Sequence, residues 1–316
     1  MIVVLAGGVG AARFLQGIVQ VVPQQEITVV VNTGDDRDFY GLHVSPDSDI
    51  ILYTLSGIVN ETHGWGIAND TYNTMQQLTR YDNEDWFLLG DRDIATHIHR
   101  TAMLKQGKTL SETVDDLRSH LGLNLRILPM SNAPIATHIQ TPDSLIHFQE
   151  YMVKRRCADP VQNVVFVGAN EAKPAPGVLD ALKQADAILL APSNPIVSIG
   201  SILAVPGIHD ALHEASGMIV AVSPIIGGAP IKGPADKLMS GLGMEVSAVG
   251  VARCYRDFLD VMVIDEQDAS LSSRIEDLGI PTVITNTVMH DNETKAALAR
   301  TVLQAAGLTR YTQSLE

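Results

Sequence analysis

The sequence predicts an α/β fold, a Rossmann-like and mostly parallel sheet flanked by helices, with a mainly helical insertion and a small β-hairpin region. Three observations carry that expectation. The chain opens on the apolar run Ile2-Val-Val-Leu-Ala6, short enough for a strand and uniform enough to be buried on both faces. A glycine-rich turn, Gly7-Gly-Val-Gly10, a helical pattern over 11–22 and a second β-branched run at 27–31 follow it. A strand, a helix and a strand at this spacing form a βαβ unit, which implies a parallel pair and a right-handed crossover. Further short apolar runs at 187–191, 218–222, 261–264 and 282–284 then alternate with helical or loop stretches.

In chain order, Pro23 closes the first helix. Asn32-Thr-Gly-Asp-Asp36 sits directly on the end of the second strand. In such sheets ligands lie beyond the carboxyl ends of the strands, so this loop and the glycine turn are expected to be neighbours. Pro46 opens a helix with Asp47 and Asp49 in its first turn. Residues 60–121 read as mostly helix, an insertion placed to cover a ligand. It holds the Gly64-Trp-Gly66 loop, a helix ending near 80, an apolar run at 86–89, and a helix carrying His97 and Arg100. Strands are expected at 123–127, 136–140 and 145–148, the last two joined by Thr-Pro-Asp-Ser, and at 164–167. Pro174 and Pro176 open a helix to about 184. Pro192-Ser-Asn-Pro195 follows the strand at 187–191, and a loop continues through 196–207. Ser223-Pro-Ile-Ile-Gly227 follows the next strand, and 232–237 open another helix. Helices near 251–258, 271–278 and from 292 complete the pattern. No repeat or linker divides the 316 residues, so one domain over 1–316 is expected.

Composition narrows the function classes. The chain is 46% apolar and 18% charged, as globular proteins are. No apolar run reaches the roughly 18 residues of a membrane span. No basic leader precedes the first strand, and Cys157 and Cys254 offer neither a disulfide framework nor a zinc site. A soluble, cytoplasmic protein is expected. A net charge of −14 without a long basic run argues against a nucleic-acid surface.

Gly7, Gly8 and Gly10 leave the first turn without β-carbons, so backbone N–H groups and the helix dipole are available to a phosphate or diphosphate. The alternative is a tight turn that binds nothing. Asp47 and Asp49 complement the dipole of their own helix, or one or both ligate a hard cation such as Mg2+. Asp93 and His97, four apart on one helix, read as an ion pair or a metal pair.

Taken together, the motifs resemble the 2-phospho-L-lactate transferases of deazaflavin coenzyme F-420 biosynthesis. The matching stretches are Leu5-Ala-Gly-Gly-Val-Gly-Ala-Ala-Arg-Phe14, Val31-Asn-Thr-Gly-Asp-Asp36, Ser45-Pro-Asp-Ser-Asp49, Gly64-Trp-Gly66, Leu89-Gly-Asp-Arg-Asp93, Ala191-Pro-Ser-Asn-Pro195 and Val222-Ser-Pro-Ile-Ile-Gly227. The likeness runs to about Asp265. It implies a reaction in which the ribityl hydroxyl of the deazaflavin FO attacks the phosphorus of a guanylylated phospho-acid and releases GMP. Mg2+ would sit on Asp49 with Asp47 as partner, and these two acids would be catalytic. Asp35 and Asp36 would add metal or hydroxyl contacts. Gly7, Gly8, Gly10 and Arg13 would hold the diphosphate. Ser193, Asn194 and Pro195, with Ser223 and Gly227, would hold the guanosine end. FO would lie near Trp65, Leu88, Asp91 and Arg92, with His97 a weaker candidate. A guanylyltransferase supplying the donor is the implied pathway neighbour, and a homodimer the implied assembly.

Two rivals remain on the sequence. A nucleotide-sugar-binding regulator of a related family would share the glycine turn and the Pro-Ser-Asn-Pro loop without catalysing anything. A nicotinamide-dependent oxidoreductase would need the third glycine of Gly-x-Gly-x-x-Gly, where this chain has Arg13.

Overall fold

The computed structural model describes residues 1–81 and 85–311; residues 82–84, within the expected insertion, and 312–316 lie outside the described residues. The strands are β1 (Ile2–Ala6), β2 (Ile27–Val31), β3 (Arg37–Phe39), β4 (Leu42–Val44), β5 (Arg126–Pro129), β6 (Ala136–Gln140), β7 (Leu145–His147), β8 (Asn163–Val167), β9 (Ala187–Leu190), β10 (Met218–Val222), β11 (Ile225–Ile226), β12 (Ala229–Pro230), β13 (Val261–Asp265) and β14 (Thr282–Thr285). The α-helices are α1 (Gly8–Val21), α2 (Pro46–Leu55), α3 (Asn73–Leu78), α4 (Asp91–Lys105), α5 (Leu110–His120), α6 (Val178–Gln184), α7 (Gly200–Leu203), α8 (Ile208–His213), α9 (Ala235–Gly241), α10 (Ala248–Cys254), α11 (Ser272–Glu276) and α12 (Asn292–Ala305).

Seven strands form one parallel sheet in the order β14-β13-β10-β9-β1-β2-β5. From β1 the chain winds first toward β2 and β5, then returns to β9 on the other side of β1. The strand order therefore reverses between β1 and β9, which opens a crevice at their carboxyl ends. Alternate residues of β1 explain why its whole run is apolar. Val3 and Leu5 enter one core layer with α6, α8 and α10, while Ile2, Val4 and Ala6 enter the other with α1, α5 and α12. Gly17 lets α12 lie against α1, since a β-carbon there would stand 2.1 Å from the Lys295 carbonyl oxygen.

The remaining strands form small antiparallel sheets. β6 and β7 make the expected hairpin, and β8 joins on the other side of β6. The β3–β4 hairpin is absent from the sequence reading. Its turn needs positive φ at two successive residues, and Tyr40 (53°) fills the first where asparagine or glycine usually signals it. The expected strand at 123–127 begins later, at Arg126, because Leu123 still hydrogen-bonds the end of α5 through Arg118. The expected loop at 196–207 is largely helical: a π-turn over Pro195–Ile199 runs into α7, and α8 begins at Ile208. Asn194 caps that turn, accepting from Ile196 N–H at 2.9 Å, with Pro195 in the first position. Asn-Pro was the available signal, hidden by the β-branched residues after it.

Within 60–121 the described residues place α3, α4 and α5 and no strand of the main sheet. Among the described residues no helix is long and apolar enough to cross a membrane.

Candidate functional site

A cavity of about 590 Å³ opens at the carboxyl ends of β1, β9 and β10. Its floor is the reversal point of the sheet. Gly7, Gly8, Val9, Gly10 and Arg13 come from the start of α1, Pro192, Ser193 and Asn194 follow β9, and Ser223 and Pro224 follow β10. The loop after β14, Thr287–His290, closes the far end. One side wall is aromatic and apolar: Trp65, Trp86, Phe87, Leu88, Phe148 and Met152. Trp65 stacks on His63 with ring centroids 5.3 Å apart, and Phe87 on Phe39 at 3.8 Å.

The glycines act in an unforeseen way. A β-carbon on Gly7 would lie 2.5 Å from Asp47 Oδ2, and one on Gly10 would lie 2.3 Å from the Pro192 carbonyl oxygen. Those two positions bring protein to protein, clamping the acid of α2 and the loop after β9 onto α1. Gly8 has nothing within 4 Å of its missing side chain; its positive φ of +74° is what calls for glycine. The Gly7 N–H donates to Ser193 Oγ at 3.3 Å. α1 has no side-chain cap of its own and no acid in its own first turn. The Gly8 N–H goes to Asp47, and Val9 and Gly10 of that turn line the cavity, where an anion meets the positive end of the helix.

Asp47 and Asp35 meet at this floor, both lining the cavity and both buried. Asn32 is the hub. Its Nδ2 donates to Asp47 Oδ2 at 2.8 Å, and its Oδ1 accepts from Gly34 N–H at 2.7 Å and from Ser201 Oγ at 2.5 Å. Asp35 Oδ1 has no hydrogen-bond partner among the described residues. Burial raises the Asp35 pKa well above the usual carboxylate range, with repulsion from Asp47 and Asp36 adding to it. Burial likewise pushes Asp47 up to about 7, against the Asn32 and Gly8 hydrogen bonds that favour its charged form. Two buried carboxylates line one cavity and one has an unpartnered oxygen, which is the kind of donor a hard cation takes, although no cluster of three such groups occurs among the described residues.

Asp49 is elsewhere. Two residues along a helix turn the side chain through roughly 200°, so Asp47 and Asp49 cannot share one small site. Asp49 points away from the cavity and forms a bidentate ion pair with Arg100, whose Nη1 stands 3.1 Å from Asp49 Oδ2 and whose Nη2 bonds Oδ1. Arg100 is fully buried. Its Nη1 also meets His97 Nδ1 at 3.1 Å, His97 Nε2 lies 3.2 Å from Asp93, and Tyr53 donates to Asp93 at 2.7 Å. His97 is therefore neither a cavity residue nor part of a surface pair; it belongs to a buried network that joins α2 to α4.

Five other expected contacts also fall off the cavity lining. Asp36 accepts from Ser45 Oγ at 2.8 Å and meets His43 Nε2 at 3.3 Å. Asp91 accepts from Thr71 Oγ1 at 2.6 Å and from Thr74 N–H at 2.8 Å, bonds that hold its pKa low. The Arg92 N–H is capped by Asp70 at 2.8 Å, and Gly90 leaves room for that carboxylate. Pro195 starts the π-turn, and the Gly227 N–H donates to Asp268 at 3.0 Å. Gly7, Gly8, Gly10, Arg13, Asp35, Asp47, Trp65, Leu88, Ser193, Asn194 and Ser223 are brought together as expected from their motifs. Residues to which the sequence gave no site role complete the lining, among them His63, Lys232, the 287–290 loop, and Gln149 and Ser198 from the further matching stretches His147-Phe-Gln149 and Ser198-Ile-Gly200.

Comparison with known proteins follows the same outline. A family described as 2-phospho-L-lactate transferase CofD matches residues 2–306. A phosphoenolpyruvate transferase of Streptomyces griseus subsp. griseus is 47% identical over 311 residues, covering 96% of this chain and 98% of the relative. A 2-phospho-L-lactate transferase of Methanosarcina mazei is 41% identical over 303 residues, covering 96% and 99%. Among solved structures, a UPF0052-family protein of Bacillus halodurans matches with a TM-score of 0.66 over 96% of this chain and 99% of that one. At 17% identity this likeness speaks for the fold alone.

Proposed function

The chain belongs to the 2-phospho-L-lactate transferase CofD family, and from that premise we propose that it transfers a phospho-acid group from a guanosine diphosphate-linked donor to the ribityl hydroxyl of FO in deazaflavin coenzyme F-420 biosynthesis. The carrying observation is the cavity itself. The start of α1 and two buried acids, Asp35 and Asp47, form its floor, and an aromatic wall rises beside them. A diphosphate and a flat deazaflavin ring need those two surfaces side by side.

In this reading the donor's diphosphate lies along the N-terminus of α1, with Arg13 beside it. The guanosine extends over Ser193, Asn194 and Ser223 toward the 287–290 loop. FO rests on Trp65, Trp86, Phe87 and Leu88, whose faces suit an offset stack. The hydroxyl oxygen attacks the phosphorus that carries the organic acid, the bond from that phosphorus to the GMP oxygen breaks, and GMP leaves with the electron pair. The hydroxyl proton passes to water at the open side of the cavity, because Asp35 is assigned to the cation. Asp47 and Asp35 would hold Mg2+, in place of the Asp49–Asp47 pair that the motif suggested; when bound, the ion neutralises charge on the phosphoryl oxygens. Asn32 and the Gly8 N–H keep Asp47 aimed at the floor.

The acid transferred is read as enolpyruvyl, supported by the name of the 47%-identical Streptomyces relative. The test is direct. The protein is incubated with FO, Mg2+, GTP, a guanylyltransferase and phosphoenolpyruvate, 2-phospholactate or phosphoglycerate in turn, and coupled deazaflavin is sought by mass. Coupling with phosphoenolpyruvate in preference to the other two is expected. Coupling with none of them, alongside tight binding of a nucleotide sugar, overturns the enzymatic reading in favour of a regulator.

A further inference from the structure

We propose that Lys232 is the residue that recognises the carboxylate of the transferred acid; this rests on the reading of the cavity as a transferase site. Lys232 follows the β11–β12 hairpin and lines the same cavity as Asp35 and Asp47. Besides its histidines, the cavity is lined by two basic residues among the described ones, Arg13 and Lys232. They stand in different places. Arg13 is part of α1 itself, in the turn after Gly10, and belongs with the diphosphate that the helix N-terminus attracts. Lys232 stands at the rim, over the junction between that N-terminus and the aromatic wall.

The position of Lys232 is fixed by what surrounds Gly64. A β-carbon on Gly64 would lie 2.7 Å from Lys232 Nζ and 3.3 Å from Val9 Cγ1. The ammonium therefore stands between the first turn of α1 and the loop that carries Trp65, in space left free by the missing side chain. Among the described residues its hydrogen bond goes to a neutral acceptor, the His63 carbonyl at 3.2 Å, and not to a carboxylate. His63 is the ring on which Trp65 stacks.

That junction is where the acid must be. The phosphorus under attack has to lie between the donor's remaining phosphate on α1 and the FO hydroxyl at the edge of the aromatic wall. The organic group on that phosphorus then projects from the junction, and its carboxylate is the one anionic feature that lactyl, enolpyruvyl and glyceryl donors share beyond the diphosphate. An ammonium with two unspent donors at that point matches it, and Lys232 at once grips the acid and ties the Trp65 loop down over it.

The experiment separates this role from phosphate binding. Dissociation constants for lactyl-diphospho-guanosine and for GDP, which lacks the carboxylate, are measured by calorimetry for the native protein, Lys232→Met and Lys232→Arg. The native protein is expected to bind the lactyl compound more tightly than GDP. Lys232→Met should weaken the lactyl compound by about tenfold, the worth of one charge-assisted hydrogen bond at a partly solvated site, and leave GDP unchanged. Lys232→Arg should recover most of the loss. Equal loss of both ligands in Lys232→Met, or no loss of either, overturns the assignment. Coupling to FO by the native protein is read in the same preparations. Absence of coupling sinks the transferase reading, whereas coupling with unchanged discrimination in Lys232→Met sinks only the lysine's role.

Discussion

One turn of α2 carries two aspartates with opposite fates. Asp47 and Asp49 are equally buried, at 6% and 5% exposure, and both follow Pro46 in the same motif. Asp49 is answered by a guanidinium, and Arg100 in turn is held charged, its burial outweighed by the Asp49 carboxylate. Asp47 is answered by an amide and a backbone N–H, with the Asp36 charge repelling it, so burial drives its pKa up. Burial alone therefore does not decide what a carboxylate is for. A buried charge with a complete set of partners is structure; a buried carboxylate on a cavity floor without a cationic partner is the one whose protonation stays sensitive to its surroundings.

The largest effect that follows is on catalysis. Asp47→Asn keeps the size and the Asn32 contact but removes the charge that would hold Mg2+. Coupling of the phospho-acid to FO should fall by roughly 10³-fold or more, the scale on which removal of transition-state charge stabilisation acts. The midpoint of thermal unfolding should be unchanged or higher, because repulsion with Asp35 is relieved. Near-normal turnover in this variant would break the distinction between the two acids.

The next effect is on the fold. Arg100→Met leaves Asp49 buried without a counter-charge, which costs about 3–5 kcal/mol. Denaturant unfolding should show that loss, and coupling activity should persist in the cold, where the variant remains folded. Asp49→Leu combined with Arg100→Met should regain most of the stability, since an apolar pair of similar volume replaces the ion pair. A double variant as unstable as Arg100→Met alone, or one that is stable and inactive, would return Asp49 to the chemistry.

How far this contrast was legible in the sequence depends on distance along the chain. The seven-stranded sheet was readable because each buried strand is a local apolar run, and the crevice because βαβ winding fixes which ends meet. Asp47 was readable as a cavity residue from Ser-Pro-Asp-Ser-Asp. Its true neighbour Asp35 was visible as a candidate, but the preference for Asp49 ignored the angle between side chains two residues apart. Arg100, fifty-one residues beyond Asp49, gave no signal, because an arginine in an amphipathic helix reads as solvated. The Gly7 and Gly10 contacts were hidden for the same reason. A glycine that admits a ligand and one that admits Pro192 or Asp47 look alike until the partner loop is in place. Gly90-Asp91-Arg92 read as substrate contacts for want of Asp70, whose carboxylate caps the helix from twenty residues upstream.

The smallest expected effect is the pH dependence of stability, and it separates the two acids without any substrate. Asp47 in the folded protein is raised to about 7, and Asp35 is raised in the same direction, whereas both revert to ordinary carboxylates on unfolding. Between those values the native state binds more protons than the unfolded state, so the contribution of the pair is present in acid and is lost as pH rises through about 7. Without divalent ions, the unfolding midpoint should fall by a few degrees from about pH 5 to about pH 8 through this pair. Mg2+ takes the place of the protons, so it should raise the midpoint at the alkaline end and do little at the acid end. In Asp47→Asn both the slope and the Mg2+ increment should shrink. Thermal unfolding of native protein and variant across that range, with and without Mg2+, reads both quantities. Identical profiles for the two proteins would mean that Asp35 and Asp47 neither store protons nor hold the ion, and the contrast with Asp49 would have to rest on geometry alone.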